Sequence, residues 1–269
     1  MINARALIPS HDVLFVTLDT LRFDVAQDAW RQGLTPNFAQ VLPSTGWEKR
    51  HTPGSFTYAA HHAFFAGFLP TPAVPGVHGR LFAARFAGSE TTDGNTYVFE
   101  SADIVTGFAD LGYHTICIGG VGFFNKQTAL GCVLPNLFAQ SFWSPQLGVT
   151  DPCSTENQVN KALQMLESVP RQQRIFMFVN VSAMHQPNCF YVPGATVDSK
   201  ETQTAALCYA DTQLPRLWEA MRRRAPLLSI VCSDHGTAYG EDGFVGHRLA
   251  HDVVWTVPYA EWIMPEVRA

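Results

Sequence analysis

The chain has 269 residues, of which 46% are hydrophobic and 15% charged, with a formal net charge of −5. That is enough apolar material for one large core, and it excludes the strongly basic surface that nucleic-acid binding requires. The densest basic run, Arg222-Arg223-Arg224, closes a helical stretch, where cations complement the helix dipole. Met1 to Asp12 lacks the apolar core of a signal peptide and no apolar run reaches membrane-spanning length, so the expected location is cytoplasmic, without a membrane partner. Six cysteines (Cys117, Cys132, Cys153, Cys189, Cys208, Cys232) show no CxxC spacing. They read as reduced thiols rather than as a disulfide framework or a cysteine zinc site.

In chain order, Val13 to Leu18 predicts a first strand. Thr35-Pro36-Asn37 opens a short helix through about Leu42, with proline at a position that suits a first turn. Thr57 to Phe65 predicts a second helix, Ser101 to Leu111 a third, and Tyr113 to Ile118 a strand after the punctuating Gly112. Ser154 to Val169 reads as a helix capped by Ser154 or Thr155, and Arg174 to Val181 as a buried strand. Thr202 to Arg223 is helical, and Pro215 is expected to kink or divide it. Leu227 to Cys232 is the last predicted strand. Thr71 to Asn95 and Asn125 to Pro152 lack periodicity and are expected to be loops. Strands alternating with helices predict an α/β sandwich with a mainly parallel sheet, residues 1–269 forming one domain.

Parallel α/β sheets gather ligands outside the carboxyl ends of their strands. The first strand exits through Asp19 and the last through Ser233-Asp234-His235-Gly236, which sets two metal-ligand side chains side by side. The strand from Arg174 exits toward His185, and Gly246-His247 follows the Asp-His pair. Carboxylate oxygen and neutral imidazole suit Zn²⁺ or Mn²⁺ better than Ca²⁺, which prefers an all-oxygen shell. A hydroxyl for such a metal to activate is available at Thr57, with Ser55 as a substitute, where a helix N-terminus favours an anion. The bland readings are an N-cap for Thr57, a turn cap or an Arg22 partner for Asp19, and ordinary loop histidines for His185 and His247. His61, His62 and His78 are further candidates near the site. Glu241 is expected to orient His247 or His235.

Taken in order, these segments resemble the alkaline phosphatase/sulfatase superfamily. They are Val13 to Arg22 with Asp19, Thr35-Pro36-Asn37, the Thr57 segment closing on Ala66-Gly67 and Pro70, His185-Gln186-Pro187, Ser233-Asp234-His235-Gly236, Gly240-Glu241 and Gly246-His247. The match is closest to the sulfatase-like branch that holds phosphoethanolamine transferases, lipoteichoic acid synthases and phosphonate monoester hydrolases. The resemblance implies a three-layer alkaline-phosphatase-like sandwich and a nucleophile ten residues before Gly67, which selects Thr57 over Ser55. It implies that Asp19, Asp234, His235 and Thr57 surround one divalent metal, Zn²⁺ or Mn²⁺. His185, His247 and His61 would contact the substrate, His185 or His247 as general acid, or His185 and His247 would help hold a second ion. Asp211 would lie in a structural helix segment. The implied activity is hydrolysis or transfer of a small phosphate monoester, diester or phosphonate ester. Sulfatase activity is not expected, because threonine cannot become formylglycine. The arginine that sulfatases carry four residues after the nucleophile is His61 here, and the C-terminal subdomain of sulfatases is not expected. The alternative is a metal-binding protein that keeps the superfamily core without turnover.

Overall fold

Among the described residues, seven strands form one sheet: β1 (Asp12–Leu18), β2 (Glu48–His51), β3 (His114–Ile118), β4 (Gln140–Phe142), β5 (Ile175–Val181), β6 (Leu227–Cys232) and β7 (Thr256–Met264). Their order in the computed structural model is β2-β7-β6-β1-β5-β3-β4. The structure describes residues 2–8, 10–67, 81–82, 97–98 and 103–267. Of the expected loop from Thr71 to Asn95 it describes only Leu81–Phe82, which pairs in parallel with Tyr97–Val98. His78 and Pro70 lie outside the described residues. β1 sits between β5 and β6 and is parallel to both, with Thr17 level with Asn180 on one side and with Cys232 on the other. β3 and β4 continue the parallel set, while β7 runs antiparallel to β6 and to the edge strand β2.

A strand buried on both faces needs apolar side chains on both, so β1 reads as a continuous apolar run rather than an alternation. The helices that cover it are α1 (Phe23–Arg31), α2 (Pro36–Ala39), α3 (Thr57–Ala66), α4 (Ile104–Asp110), α5 (Ser154–Ser168) and α6 (Lys200–Arg222). Leu14, Val16 and Leu18 share one core with Val25 and Ala29 of α1, Val159 of α5 and Leu207 and Leu214 of α6. Val13 joins the opposite core with Tyr58 and Phe65 of α3 and Val105 and Phe108 of α4. The result is the expected three-layer α/β sandwich. Each fully buried Leu, Ile, Val or Phe contributes roughly 1.5–3 kcal/mol to it relative to exposure.

Several local expectations are corrected. β6 is not the last strand: β7 follows it, although Pro258 makes that stretch read as punctuation. The Pro258 carbonyl still accepts the Ser233 N–H at 3.1 Å, so the ladder continues past the residue without a donor. Helix α1 is absent from the sequence reading because its buried face is Val25, Ala26, Gln27 and Ala29, a weak apolar signal. The unperiodic stretch from Asn125 to Pro152 contains the helix Ala129–Val133 and strand β4. Helix α5 begins at Ser154 with Cys153 in the cap position and no side-chain cap, so neither Ser154 nor Thr155 caps it.

Pro215 neither divides nor ends α6, which runs unbroken for 23 residues. Proline removes the bond that the Asp211 carbonyl would have accepted, and Asn37 Nδ2 donates to that carbonyl at 3.1 Å instead. The same aspartate caps α2: its carboxylate accepts the Asn37 N–H at 3.1 Å and the Phe38 N–H at 2.7 Å. Thr35-Pro36-Asn37 and Asp211 are therefore two halves of one joint. Asp211→Ala leaves the buried Phe38 N–H and the half-buried Asn37 N–H without that partner, and we expect it to cost about 2–3 kcal/mol. Urea unfolding at unchanged m-value measures that loss.

Candidate metal centre

Three neighbouring parallel strands deliver the site. Asp19 follows β1 and its N–H bonds to the Val181 carbonyl at 3.0 Å, so the exits of β1 and β5 are fixed together. Asp234 and His235 follow β6. One ligand atom from each of Asp19, Asp234 and His235 lies within 4.8 Å of the others, and all three residues are buried. Thr20 locks the loop between them in the left-handed region (φ 67°), a costly conformation for a β-branched residue. Its N–H donates to Asp234 Oδ1 at 3.0 Å and its hydroxyl to Asp19 Oδ1 at 2.8 Å, which holds it there. Gly236 is required for closeness: a Cβ there would stand 1.9 Å from the Val253 carbonyl oxygen.

The donor set fits a divalent cation. Asp234 Oδ1 accepts from the N–H groups of Thr20 and His235, while Oδ2 is buried with no hydrogen-bond partner among the described residues, 3.6 Å from His235 Nε2. His235 Nδ1 donates to the Gly236 carbonyl at 2.9 Å, which turns the lone pair of Nε2 toward the carboxylates. Asn180 Nδ2 holds Asp19 Oδ2 at 2.9 Å. An orphaned carboxylate oxygen beside a second carboxylate and an imidazole lone pair is what a Zn²⁺- or Mn²⁺-type ion satisfies. Burial and the negative charge of Asp19 raise the Asp234 carboxyl well above the usual carboxylate range. Burial acts on Asp19 in the same sense, but the His185 and His235 imidazoles and the bonds from Asn180 and Thr20 outweigh it and hold that carboxyl low. Burial lowers His235 as well, keeping its lone pair available.

Thr57 is the first residue of α3, and its Oγ1 lies 3.3 Å from His235 Nε2. The cap position belongs to Phe56 and no side chain caps the helix, so the Thr57 hydroxyl is not engaged as an N-cap. The helix ends at Gly67 in the left-handed conformation (φ 69°) that glycine adopts without strain. Ser55 lies just outside, its carbonyl accepting the Arg248 N–H at 2.9 Å. His185 and His247 come together with ring centroids 5.9 Å apart, and His247 stands 4.6 Å from His235. His185 Nδ1 bonds to the Gln186 carbonyl at 2.6 Å. Burial, with His235 and His185 nearby, lowers His247 to about 4, so its imidazole is neutral at pH 7.

Two expectations are corrected by the geometry. His61 does not face the mouth of the site: it is fully buried, with Nδ1 on the Thr57 carbonyl at 2.7 Å and Nε2 on Thr17 Oγ1 at 3.0 Å. Both ring nitrogens are occupied, and burial lowers this imidazole to about 4. Glu241 orients neither His247 nor His235. It pairs with Arg22 Nη1 at 2.5 Å and accepts the Tyr239 N–H at 2.6 Å, and so ties the hairpin of Ala238–Tyr239 and Val245–Gly246 to the β1 exit. Arg22, expected at most to pair with Asp19, is buried between Glu241 and Asp24 instead. His62 is buried too, its ring 4.8 Å from that of Tyr58. Sequence reasoning missed Asn180, hidden inside an apolar strand, and Arg248, whose positive charge helps lower His235 and His247. Its place directly after His247 is the signal that marks it.

No protein-family model matches the sequence, and no match is found among curated proteins. Among solved structures, the C-terminal periplasmic domain of a phosphoethanolamine transferase from Campylobacter jejuni matches with a TM-score of 0.63 at 14% identity, over 94% of this chain and 80% of that one. A protein in the alkaline phosphatase superfamily from Vibrio parahaemolyticus matches at 0.57 and 15%, over 93% and 60%. The zinc complex of the corresponding periplasmic domain of EptC from Escherichia coli matches at 0.60 and 12%, over 94% and 72%.

The chain is a mainly parallel α/β sandwich with two carboxylates and an imidazole at adjacent strand exits. It shares its fold with the phosphoethanolamine transferase domains and with the Vibrio protein described as a member of the alkaline phosphatase superfamily. The cytoplasmic location expected from the apolar-poor start does not hold against these neighbours, two of which are periplasmic domains. Composition of the first twelve residues is no guide to compartment here. Among the described residues, no helix is long and apolar enough to cross a membrane.

Proposed function

We propose that this protein is a metal-dependent phosphoester hydrolase or phosphotransferase that uses Thr57 as its nucleophile. The observation that carries this reading is the Thr57 hydroxyl at a helix N-terminus, 3.3 Å from the imidazole of a buried acid and imidazole cluster with one carboxylate oxygen unpartnered. Asp19, Asp234 and His235 would hold the divalent cation. When bound, the cation supplies the positive charge that lowers the hydroxyl's pKa and offsets charge on the phosphoryl oxygens.

Thr57 gives up its proton to water and forms an O–P bond as the P–O bond to the ester oxygen in line with it breaks. The N-terminus of α3 faces the negative charge that develops there. His247, neutral, offers a single N–H to a phosphoryl or leaving oxygen, with His185 beside it and Arg248 adding positive charge near His247 and His235. Water or an acceptor alcohol then displaces Thr57 from phosphorus. The substrate class is a small phosphate monoester, diester or phosphonate ester.

The test is turnover of p-nitrophenyl phosphate, a bis-ester, a phosphonate ester and the sulfate by protein loaded with Zn²⁺ or Mn²⁺. We expect hydrolysis of a phosphorus ester that chelation abolishes and added metal restores. Hydrolysis of the sulfate, or phosphoester turnover indifferent to chelator, counts against the assignment. Tight metal binding with no turnover across the panel favours a metal-binding protein that keeps the fold alone.

A further inference from the structure

Behind the metal ligands, four polar groups form a chain in which every donor and acceptor is dictated by chemistry. The Thr57 carbonyl can only accept, so His61 Nδ1, 2.7 Å away, carries the ring proton. Asp234 Oδ2, 3.7 Å from the same nitrogen, favours a proton on that side of the ring as well. Nε2 of the neutral ring is then a lone pair, and the Thr17 hydroxyl at 3.0 Å donates to it. Thr17 Oγ1 in turn accepts from Asn180 Nδ2 at 3.1 Å, and the same amide nitrogen donates to Asp19 Oδ2 at 2.9 Å. The orientation of the amide is set at its other end, where Oδ1 accepts the Val121 N–H at 3.1 Å.

Thr17, His61 and Asn180 are all fully buried. The His61 ring plane is fixed by Phe64, Phe65, Phe124 and Phe178, whose centroids stand 5.6, 6.1, 5.3 and 5.4 Å away. A satisfied, directional network in such a setting is stiff, because reversing any one bond leaves a buried group without a partner. The nucleophile's own side chain takes no part in it. What the chain holds is the backbone of the Thr57 turn, at one end, and the carboxylate of a metal ligand, at the other.

We propose that Asn180, Thr17 and His61 form a positioning relay that fixes the Thr57 backbone relative to the Asp19 carboxylate. The catalytic consequence rests on the reading of Thr57 as nucleophile, whereas the bonding pattern does not. The relay makes two independent demands. First, in the metal-free wild-type protein, long-range ¹H–¹⁵N NMR finds His61 as the neutral tautomer protonated at Nδ1. Protonation at Nε2 instead would overturn the relay. Second, Thr17→Val keeps the shape but cuts the chain at its middle, without touching Asp19 or Thr57. It lowers kcat on the order of 10- to 100-fold, since sub-ångström misplacement of a nucleophile is enough for such a loss. KM is unchanged, and so is Zn²⁺ affinity measured against a chelating dye, while Thr17→Ser, which retains the hydroxyl, recovers most of the rate. A Thr17→Val protein that keeps wild-type kcat refutes the proposal. If that variant does not fold, the wild-type tautomer still decides. If the wild type turns over no phosphorus ester, the functional reading fails by itself and the tautomer result stands apart from it.

Discussion

Thr57→Ala is expected to lower phosphoester turnover by on the order of 10³-fold or more while leaving metal content and fold in place. The separation of these effects follows from where the side chain sits. Among the described residues its hydroxyl makes one polar contact, with His235 Nε2 at 3.3 Å, and it does not cap α3, because Phe56 holds the cap position. Alanine is a good helix former at such a position, so α3 does not depend on the threonine side chain to begin. Asp19, Asp234 and His235 keep their own supports from Thr20, Asn180 and Gly236. Thr57→Ser retains a hydroxyl and a measurable part of the rate. Acid-quenched wild-type protein yields a phosphorylated peptide containing Thr57, detected by mass spectrometry. Undiminished turnover by Thr57→Ala removes the nucleophile assignment. Turnover lost in the variant with no phosphopeptide from the wild type, after rapid quenching, points to direct attack by water.

Residues at the boundary between an apolar run and a loop were legible, because a strand exit is visible in one sequence. Asp19, Asp234, His235 and His185 all sit at such boundaries, and the α/β architecture brings their strands together without further information. Asn180 and Thr17 occupy the interior of apolar runs, where a polar residue carries no sign of its partner until the β1 and β5 register is known. Glu241 shows the opposite error. It is six positions from His247 in the chain, but it lies in the connection between the paired strands Ala238–Tyr239 and Val245–Gly246, with its carboxylate on Arg22. His61, too, is near Thr57 by sequence, one helical turn on and on the same face, but its Nδ1 bonds back to the Thr57 carbonyl and its ring is fully buried. Pro215 was misleading because the rule about proline in helices concerns the orphaned carbonyl, and Asn37 supplies the partner from a distant segment.

Asp234→Asn is expected to stabilise the metal-free protein while abolishing metal binding and turnover. The metal-free fold holds a buried carboxyl whose proton affinity is raised by burial and by the charge of Asp19. The unfolded chain releases that proton in the ordinary carboxylate range. Between the two, the folded state binds more protons than the unfolded state, so the contribution of this group to stability falls as pH rises through that window. The amide cannot ionise, and its oxygen can keep the two N–H bonds that Oδ1 accepts from Thr20 and His235. Its NH₂ replaces Oδ2, which has no hydrogen-bond partner among the described residues. In chelator at pH 8 the variant should therefore melt above the wild type, by roughly 2–4 °C for each kcal/mol of relieved charge burial in a chain of this size. The gap should narrow as pH falls toward the ordinary carboxylate range, where the wild-type carboxyl is protonated in both states. Protonation of the buried imidazoles occurs in both proteins and largely cancels in the difference. With Zn²⁺ in excess the order reverses, because only the wild type gains stability by binding. Melting curves in chelator and in Zn²⁺ across that pH range test it. A variant that melts below the wild type in chelator at pH 8 would show that Asp234 is not held as a strained metal ligand in the free fold.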